Sequence, residues 1–229
     1  MVTLTSELLQ AYCEAALDNA AELHAEASLL LAHGHHARAY FLAVASMEEV
    51  GKALMAFDGQ NRKLDNPAVV SKLRSGMEDH SQKITYAFMP MILASTEQRQ
   101  AIEVAVDLMI NLKRGREPSM YSDLRSDPHR AQRPRDVARE KAAQDCARLA
   151  GNCLAHAVSH VRETQPQQIT RAMDALFTMR DNHVKKVLNA EDFWWYYIAR
   201  REAGNLDWAE AIVGYDKDHV QRGTLFKNA

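Results

Sequence analysis

Several things are scarce in this 229-residue chain, and each scarcity removes a class of protein. Long apolar runs are missing: none approaches the ~18 residues that cross a bilayer, and the polar start MVTLTSE does not read as a signal peptide. The expectation is a cytoplasmic protein that does not engage membranes. Cysteine is scarce too. Cys13, Cys146 and Cys153 are odd in number and far apart, as expected of reduced thiols rather than of a disulfide frame. Surplus positive charge is missing: a net charge of -2 gives no generic grip on nucleic acid, so any such binding needs a local basic patch. There is no convincing β-alternation, no internal repeat and no glycine-rich phosphate loop. What is present, at 47% hydrophobic and 25% charged, has the composition of an ordinary globular chain, and its periodicity is all-α.

The stretch from Ala37 to Phe57, ARAYFLAVASMEEVGKALMAF, organises the rest. It has no proline and one glycine, and predicts a helix of about six turns. One stripe runs through Phe41, Val44, Ala45, Glu48, Lys52 and Met55, and an adjacent one through Tyr40, Val44, Met47, Gly51 and Leu54. A helix apolar over most of its girth belongs at the centre of a bundle. Glu48 and Lys52 then lie four residues apart among oily neighbours, where charge must be matched to further polar partners. Gly51 weakens the helix by about 1 kcal/mol, which suggests that another backbone passes close by.

Around this helix the chain reads as follows. A first helix spans 5–33, capped by Thr5 or Ser6, with Leu9, Tyr12, Ala16, Leu23, Ala27 and Leu30 on its apolar face, and Gly34 ends it. The HGHH turn makes helices one and two an antiparallel hairpin. A short helix at 67–74 follows, then one from about Glu78 that Pro90 kinks or ends, then a helix from the capping box Ser95-Thr96-Glu97-Gln98 to Lys113. Periodicity vanishes from Arg114 to Arg135, a long loop. Further helices run from Pro134 to about Glu163, from Pro166 to about Leu188, from Asn189 to Ala203 with Gly204 as stop, and over Trp208–Gly214. The expected division is a bundle over 1–163 and a helical extension over 164–229, packed on the bundle or on a second subunit.

Candidate site residues fall in three places. Glu48 and Lys52, with Glu49 on the next stripe, lie on the central helix. Asp79-His80-Ser81-Gln82-Lys83 puts His80 and Lys83 on one face of the third long helix, and histidine titrates where proton transfer needs it. The segment Leu112–Lys141 holds nine Lys/Arg against five Asp/Glu and could project Arg116, Tyr121 and Asp123 into a site. Arg74 and His80 also match an R-x5-H spacing, which chance produces readily in a chain so rich in both residues. His33, His35 and His36 are explained by the turn. Cys153, His156 and His160 share a helix face but lack the glutamate of a zinc-protease motif, so no metal and no cofactor is expected. Phe193-Trp194-Trp195-Tyr196-Tyr197 reads as a packing surface for the bundle or for a second subunit.

The run ARAYFLAVASMEEVGKAL, then DHSQK, then REPSMYSD, resembles the AbiV family of abortive-infection proteins, within the HEPN superfamily of helical bundles. The resemblance covers about Leu8 to His160. It implies an all-α, HEPN-like antiparallel bundle with additional C-terminal helices, and an anti-phage effector that stops growth of the infected cell. It also implies a metal-independent ribonuclease acting as a homodimer on RNA. The family motifs carry over onto Glu48, Glu49, Lys52, His80, Lys83, Arg116 and Tyr121. On that reading His80 moves the proton of a ribose 2′-hydroxyl, Lys52, Lys83 and Arg116 stabilise phosphate charge, Glu48 holds Lys52, and Tyr121 orients substrate. A phage-encoded trigger or an antitoxin-like protein is the expected regulatory partner. The alternative is a non-catalytic binding module, in which the same polar cluster fixes the bundle and the aromatic helices engage a phage or translation-machinery protein.

Overall fold

The computed structural model describes residues 3–94, 111–112, 115–126, 129–205 and 207–226. Helix α1 (Ser6–Ala32) starts at Thr5, whose hydroxyl accepts the Leu8 N–H, and stops at Gly34 with φ +75°. The turn returns the chain into α2 (His36–Gly59), antiparallel to α1 as expected. The buried face of α1 is rotated from the expected one: Leu9, Cys13, Ala16, Ala20 and Ala27 point inward, while Tyr12 is partly exposed. The reason is the partner. Helix α2 offers Ala39, Ala43 and Ser46 at that contact, so small residues bring the backbones close enough for Ser46 Oγ to donate to Ala20 O at 2.7 Å.

Helix α3 (Pro67–Glu78) is a turn longer than expected, and α4 (His80–Ala94) continues past Pro90 instead of ending there. The capping box at Ser95–Gln98 and the helix to Lys113 lie outside the described residues. Where a loop was expected from Arg114 to Arg135, residues 115–120 are helical (α5) and β1 (Asp123–Ser126) pairs antiparallel with β2 (His129–Gln132), Asp123 opposite Gln132. Strands of four residues are too short for alternation to show in sequence. The helix expected from Pro134 to Glu163 is broken by extended backbone at Ala138 and Arg139 into α6 (Pro134–Val137) and α7 (Glu140–Glu163).

The chain divides into two compact units, residues 1–60 with 73–166, and residues 61–72 with 167–229. In the first, α2 packs against α1, α4 and α7, and the small residues Ala143, Cys146, Ala147, Ala150, Cys153 and Ala157 make the inner stripe of α7. In the second, α8 (Arg171–Thr178), α9 (Asp181–Leu188), α10 (Glu191–Glu202) and α11 (Trp208–Tyr215), followed by a π-helical turn (Asp216–Val220), surround Val187, Phe193, Ile212 and Tyr215. The single helix expected from Pro166 to Leu188 is thus two, separated by extended Met179 and Arg180. Within that unit the buried Asp174 accepts from Arg62 Nη1 at 2.9 Å and from the Lys63 N–H at 2.8 Å. Among the described residues no helix is long and apolar enough to cross a membrane.

Candidate functional site

The charged member of the buried set on α2 is Glu48, and three side chains from two other segments converge on its carboxylate. Oε2 accepts from Lys83 Nζ at 2.9 Å and from His80 Nδ1 at 2.8 Å. Oε1 lies 2.8 Å from Arg116 Nε, a contact of charges whose N–H does not lie along a hydrogen-bond line. A lone carboxylate at this depth would cost several kcal/mol to desolvate, and the ring of donors offsets that cost.

Local sequence explains how each donor arrives. Asp79 caps α4, its carboxylate accepting the Gln82 N–H at 2.8 Å and its carbonyl the Lys83 N–H at 3.0 Å. This fixes His80 on the first turn and Lys83 three residues later on the same face. Gly51 fixes the height: a Cβ there would stand 1.9 Å from the Lys83 carbonyl oxygen, so α4 lies directly on the α2 backbone. Gly115 does the same for α5, resting against the Tyr40 ring where a Cβ would come within 2.5 Å of the hydroxyl. The Arg116 guanidinium then sits 5.5 Å from the Phe41 ring centroid.

The four groups differ in access. The Lys83 side chain is 6% exposed and that of Glu48 also 6%, whereas Arg116 is 21% and His80 53% exposed. The carboxylate can only accept, so His80 donates Nδ1–H inward to Glu48 while its side chain is half open to solvent. The orientation of the ring is thus set by a buried acid.

The expected Glu48–Lys52 pair does not form. Lys52 Nζ instead takes Glu49 Oε1 at 2.6 Å, one position nearer along the helix. Burial pulls the Lys52 ammonium down, but the Glu49 hydrogen bond and charge, with Tyr12 and Glu48 beyond, raise it above its ordinary value. Tyr121 is 62% exposed just past α5 and Asp123 opens β1, and neither is among the partners of the Glu48 carboxylate described above. Arg74 lies on α3, ahead of the helix that carries His80. The thiols of Cys146 and Cys153 are pushed up to about 12 by burial and that of Cys13 to about 11, which leaves them protonated. Of the aromatic run on α10, Phe193 is core while Trp194 and Trp195 are exposed.

Two features were not assembled from the sequence. In the second unit, buried Asp216 accepts from His183 Nδ1 at 2.9 Å and from Gln221 Nε2 at 2.5 Å, beside a cleft of 640 Å³ that Arg180, Thr178 and Lys217 also line. Its members are 33 residues apart, so no spacing could announce them. In the first unit, a basic cleft opens at the start of α2.

Compared with known proteins, the chain matches the HEPN_AbiV family model, described as AbiV, over residues 8–155. No curated protein and no solved structure matches it.

Proposed function

This chain belongs to the AbiV family, and from that premise we propose that it is an abortive-infection effector whose Glu48–His80 pair serves a metal-independent RNA-cleaving site. The observation that carries the reading is the imidazole of His80, tied through Nδ1 to a buried carboxylate at 2.8 Å and half open to solvent. Nε2 takes the proton of a ribose 2′-hydroxyl. The 2′-oxygen then attacks the adjacent phosphorus, the bond to the 5′-oxygen breaks, and the imidazolium returns its proton to that leaving oxygen. The products are a 2′,3′-cyclic phosphate and a 5′-hydroxyl.

Glu48 is a positioning residue, since it touches His80 and not substrate. Lys83, at 6% exposure, acts on Glu48 and leaves the phosphate to others. Arg116 and Lys52, both partly exposed, supply positive charge near the ring, and exposed Tyr121 is available to contact substrate. The site is expected to work in a homodimer, which light scattering at micromolar concentration checks.

His80→Ala removes the base but fills no space and unpairs no buried charge beyond Glu48, which keeps Lys83 and Arg116. It is expected to abolish toxicity and RNA cleavage in EDTA while circular dichroism stays native. Toxicity retained by a folded His80→Ala protein removes the catalytic role. A second reading has its own support: Lys83 and Arg116 both face Glu48, as in a network that fixes a bundle. Intact total RNA after incubation with the purified protein, together with a co-purifying protein, would select that non-catalytic binding module.

A further inference from the structure

Helix α2 begins without a cap. His35 offers no side-chain acceptor to the first-turn N–H groups, and no acidic residue lies in that turn. A 24-residue helix therefore presents the positive end of its dipole uncompensated. Facing it across a cleft of 510 Å³ are Arg133, Arg135 and Ser122, with His35, His36 and Arg38 on the near side. Among the described residues no carboxylate lines the cleft. The acid next to it, Asp136, is turned back onto the Arg133 N–H at 3.0 Å. Three guanidinium groups and a helix N-terminus share one concavity, and such a shape concentrates field lines from charge of one sign.

We propose that this cleft binds the phosphodiester backbone of single-stranded RNA, its phosphate oxygens taken by Arg38, Arg133 and Arg135 and by the N-terminus of α2. Guanidinium forks match phosphate oxygens in pairs, and helix N-termini receive anions through backbone N–H groups. The proposal rests on the RNA-cleaving reading of His80 and extends it. From His36 to Glu48 is twelve residues of one straight helix, about 18 Å at 1.5 Å per residue. A strand of several nucleotides covers that span, so the cleft holds the substrate at the start of α2 while the imidazole meets it halfway along the helix. The chain's slight acidity is then no obstacle, because the basic patch that RNA binding requires is gathered in one place.

The test uses the full-length protein and a fluorescein-labelled twelve-nucleotide single-stranded RNA of mixed sequence, read by anisotropy across a salt series. A 2′-O-methyl group at every sugar blocks attack by the 2′-oxygen, and so prevents turnover, while keeping the ribose and leaving the phosphates unchanged. For Arg38→Ala/Arg133→Ala/Arg135→Ala, affinity at low salt is expected to fall at least about tenfold, and the slope of log affinity against log salt to shrink by about two. All three arginines are exposed, so the variant is expected to fold. Should circular dichroism show otherwise, Arg38→Glu alone must produce a loss of affinity of at least about threefold. Wild-type binding that the variants retain overturns the cleft but leaves the His80 chemistry standing. No binding by the wild-type protein overturns both.

Discussion

Two buried carboxylates, Glu48 in the first unit and Asp216 in the second, each hold the Nδ1 of a histidine, at 2.8 and 2.9 Å. Their remaining partners set them apart. Glu48 also faces Lys83 and Arg116, permanent cations brought from α4 and α5. Asp216 faces the neutral amide of Gln221, five residues on in the same turn. The first carboxylate is therefore the electrostatic centre of three converging segments, and its removal strands a buried ammonium. The second carries one imidazole and one amide, and its removal leaves those two donors without their acceptor. The same acid–imidazole geometry thus carries different energetic weight depending on what else the acid must neutralise.

The largest effect should come from breaking the first of these. Glu48→Gln is expected to cost about 3–5 kcal/mol, because it leaves Lys83 charged and unpaired. Asp216→Asn is expected to cost about 1–3 kcal/mol, the loss of charge-assisted hydrogen bonds alone. Urea unfolding measures both, and equal losses would dissolve the contrast. Glu48→Gln combined with Lys83→Met should recover much of the first loss, since the buried ammonium is then gone and only the partly exposed Arg116 loses a counter-ion.

Next in size is Gly51→Ala, which attacks the same cluster through the backbone. A methyl 1.9 Å from the Lys83 carbonyl oxygen must push α4 off α2, carrying His80 and Lys83 away together. Overpacking of a tight contact costs about 1–3 kcal/mol, and here activity should fall with stability, although Gly51 touches no substrate. Full activity in Gly51→Ala would show that the cluster does not depend on this approach.

The smallest effect sharpens the comparison by pH. All three thiols lie in the first unit and all three tryptophans, Trp194, Trp195 and Trp208, in the second. Burial raises the thiols from 9.0 to about 11 for Cys13 and about 12 for Cys146 and Cys153. Below pH 9.0 both folded and unfolded chains keep these protons, so the thiols leave stability unchanged. Above it the unfolded chain releases protons that the folded one retains, and stability falls as pH climbs toward those values. In the second unit Tyr215 is raised in the same sense by burial and by Asp192, but from 10.0, so its loss begins later. In urea titrations at about pH 7 and about pH 9.5, thiol labelling should report a midpoint that drops more than the midpoint from tryptophan fluorescence. Equal drops would contradict this placement of the buried acids.

How much of this was legible in the chain differs from element to element. The cap at Thr5, the stop at Gly34 and the stop at Gly204, with φ +86°, could be read directly because they are local backbone requirements. So could the close approach at Gly51, because a glycine in an otherwise well-formed helix calls for a spatial reason. Glu48, His80, Lys83 and Arg116 were identifiable individually as polar residues in apolar or motif settings. Which acid Lys52 would choose was not, since Glu48 and Glu49 are both within one turn and only packing decides which of them is turned inward. Nor was the rotation of the α1 face, which depends on the small residues α2 presents to it. The hairpin at 123–132 was not legible either, because strands of four residues are too short for alternation to register.

By itself the sequence determined an all-α chain, a central apolar helix carrying one acid that had to be neutralised, and membership of the AbiV family through its first 155 residues. Periodicity, caps and glycine positions are properties of neighbours along the chain, and so they survive without coordinates. The tertiary structure alone decided that His80, Lys83 and Arg116, rather than Lys52, meet at Glu48, that a second acid–imidazole pair exists at Asp216, and that Arg38, Arg133 and Arg135 share a cleft. Those are distances between residues tens of positions apart. They follow from how helices stack, and pairing of that kind leaves no trace in local order.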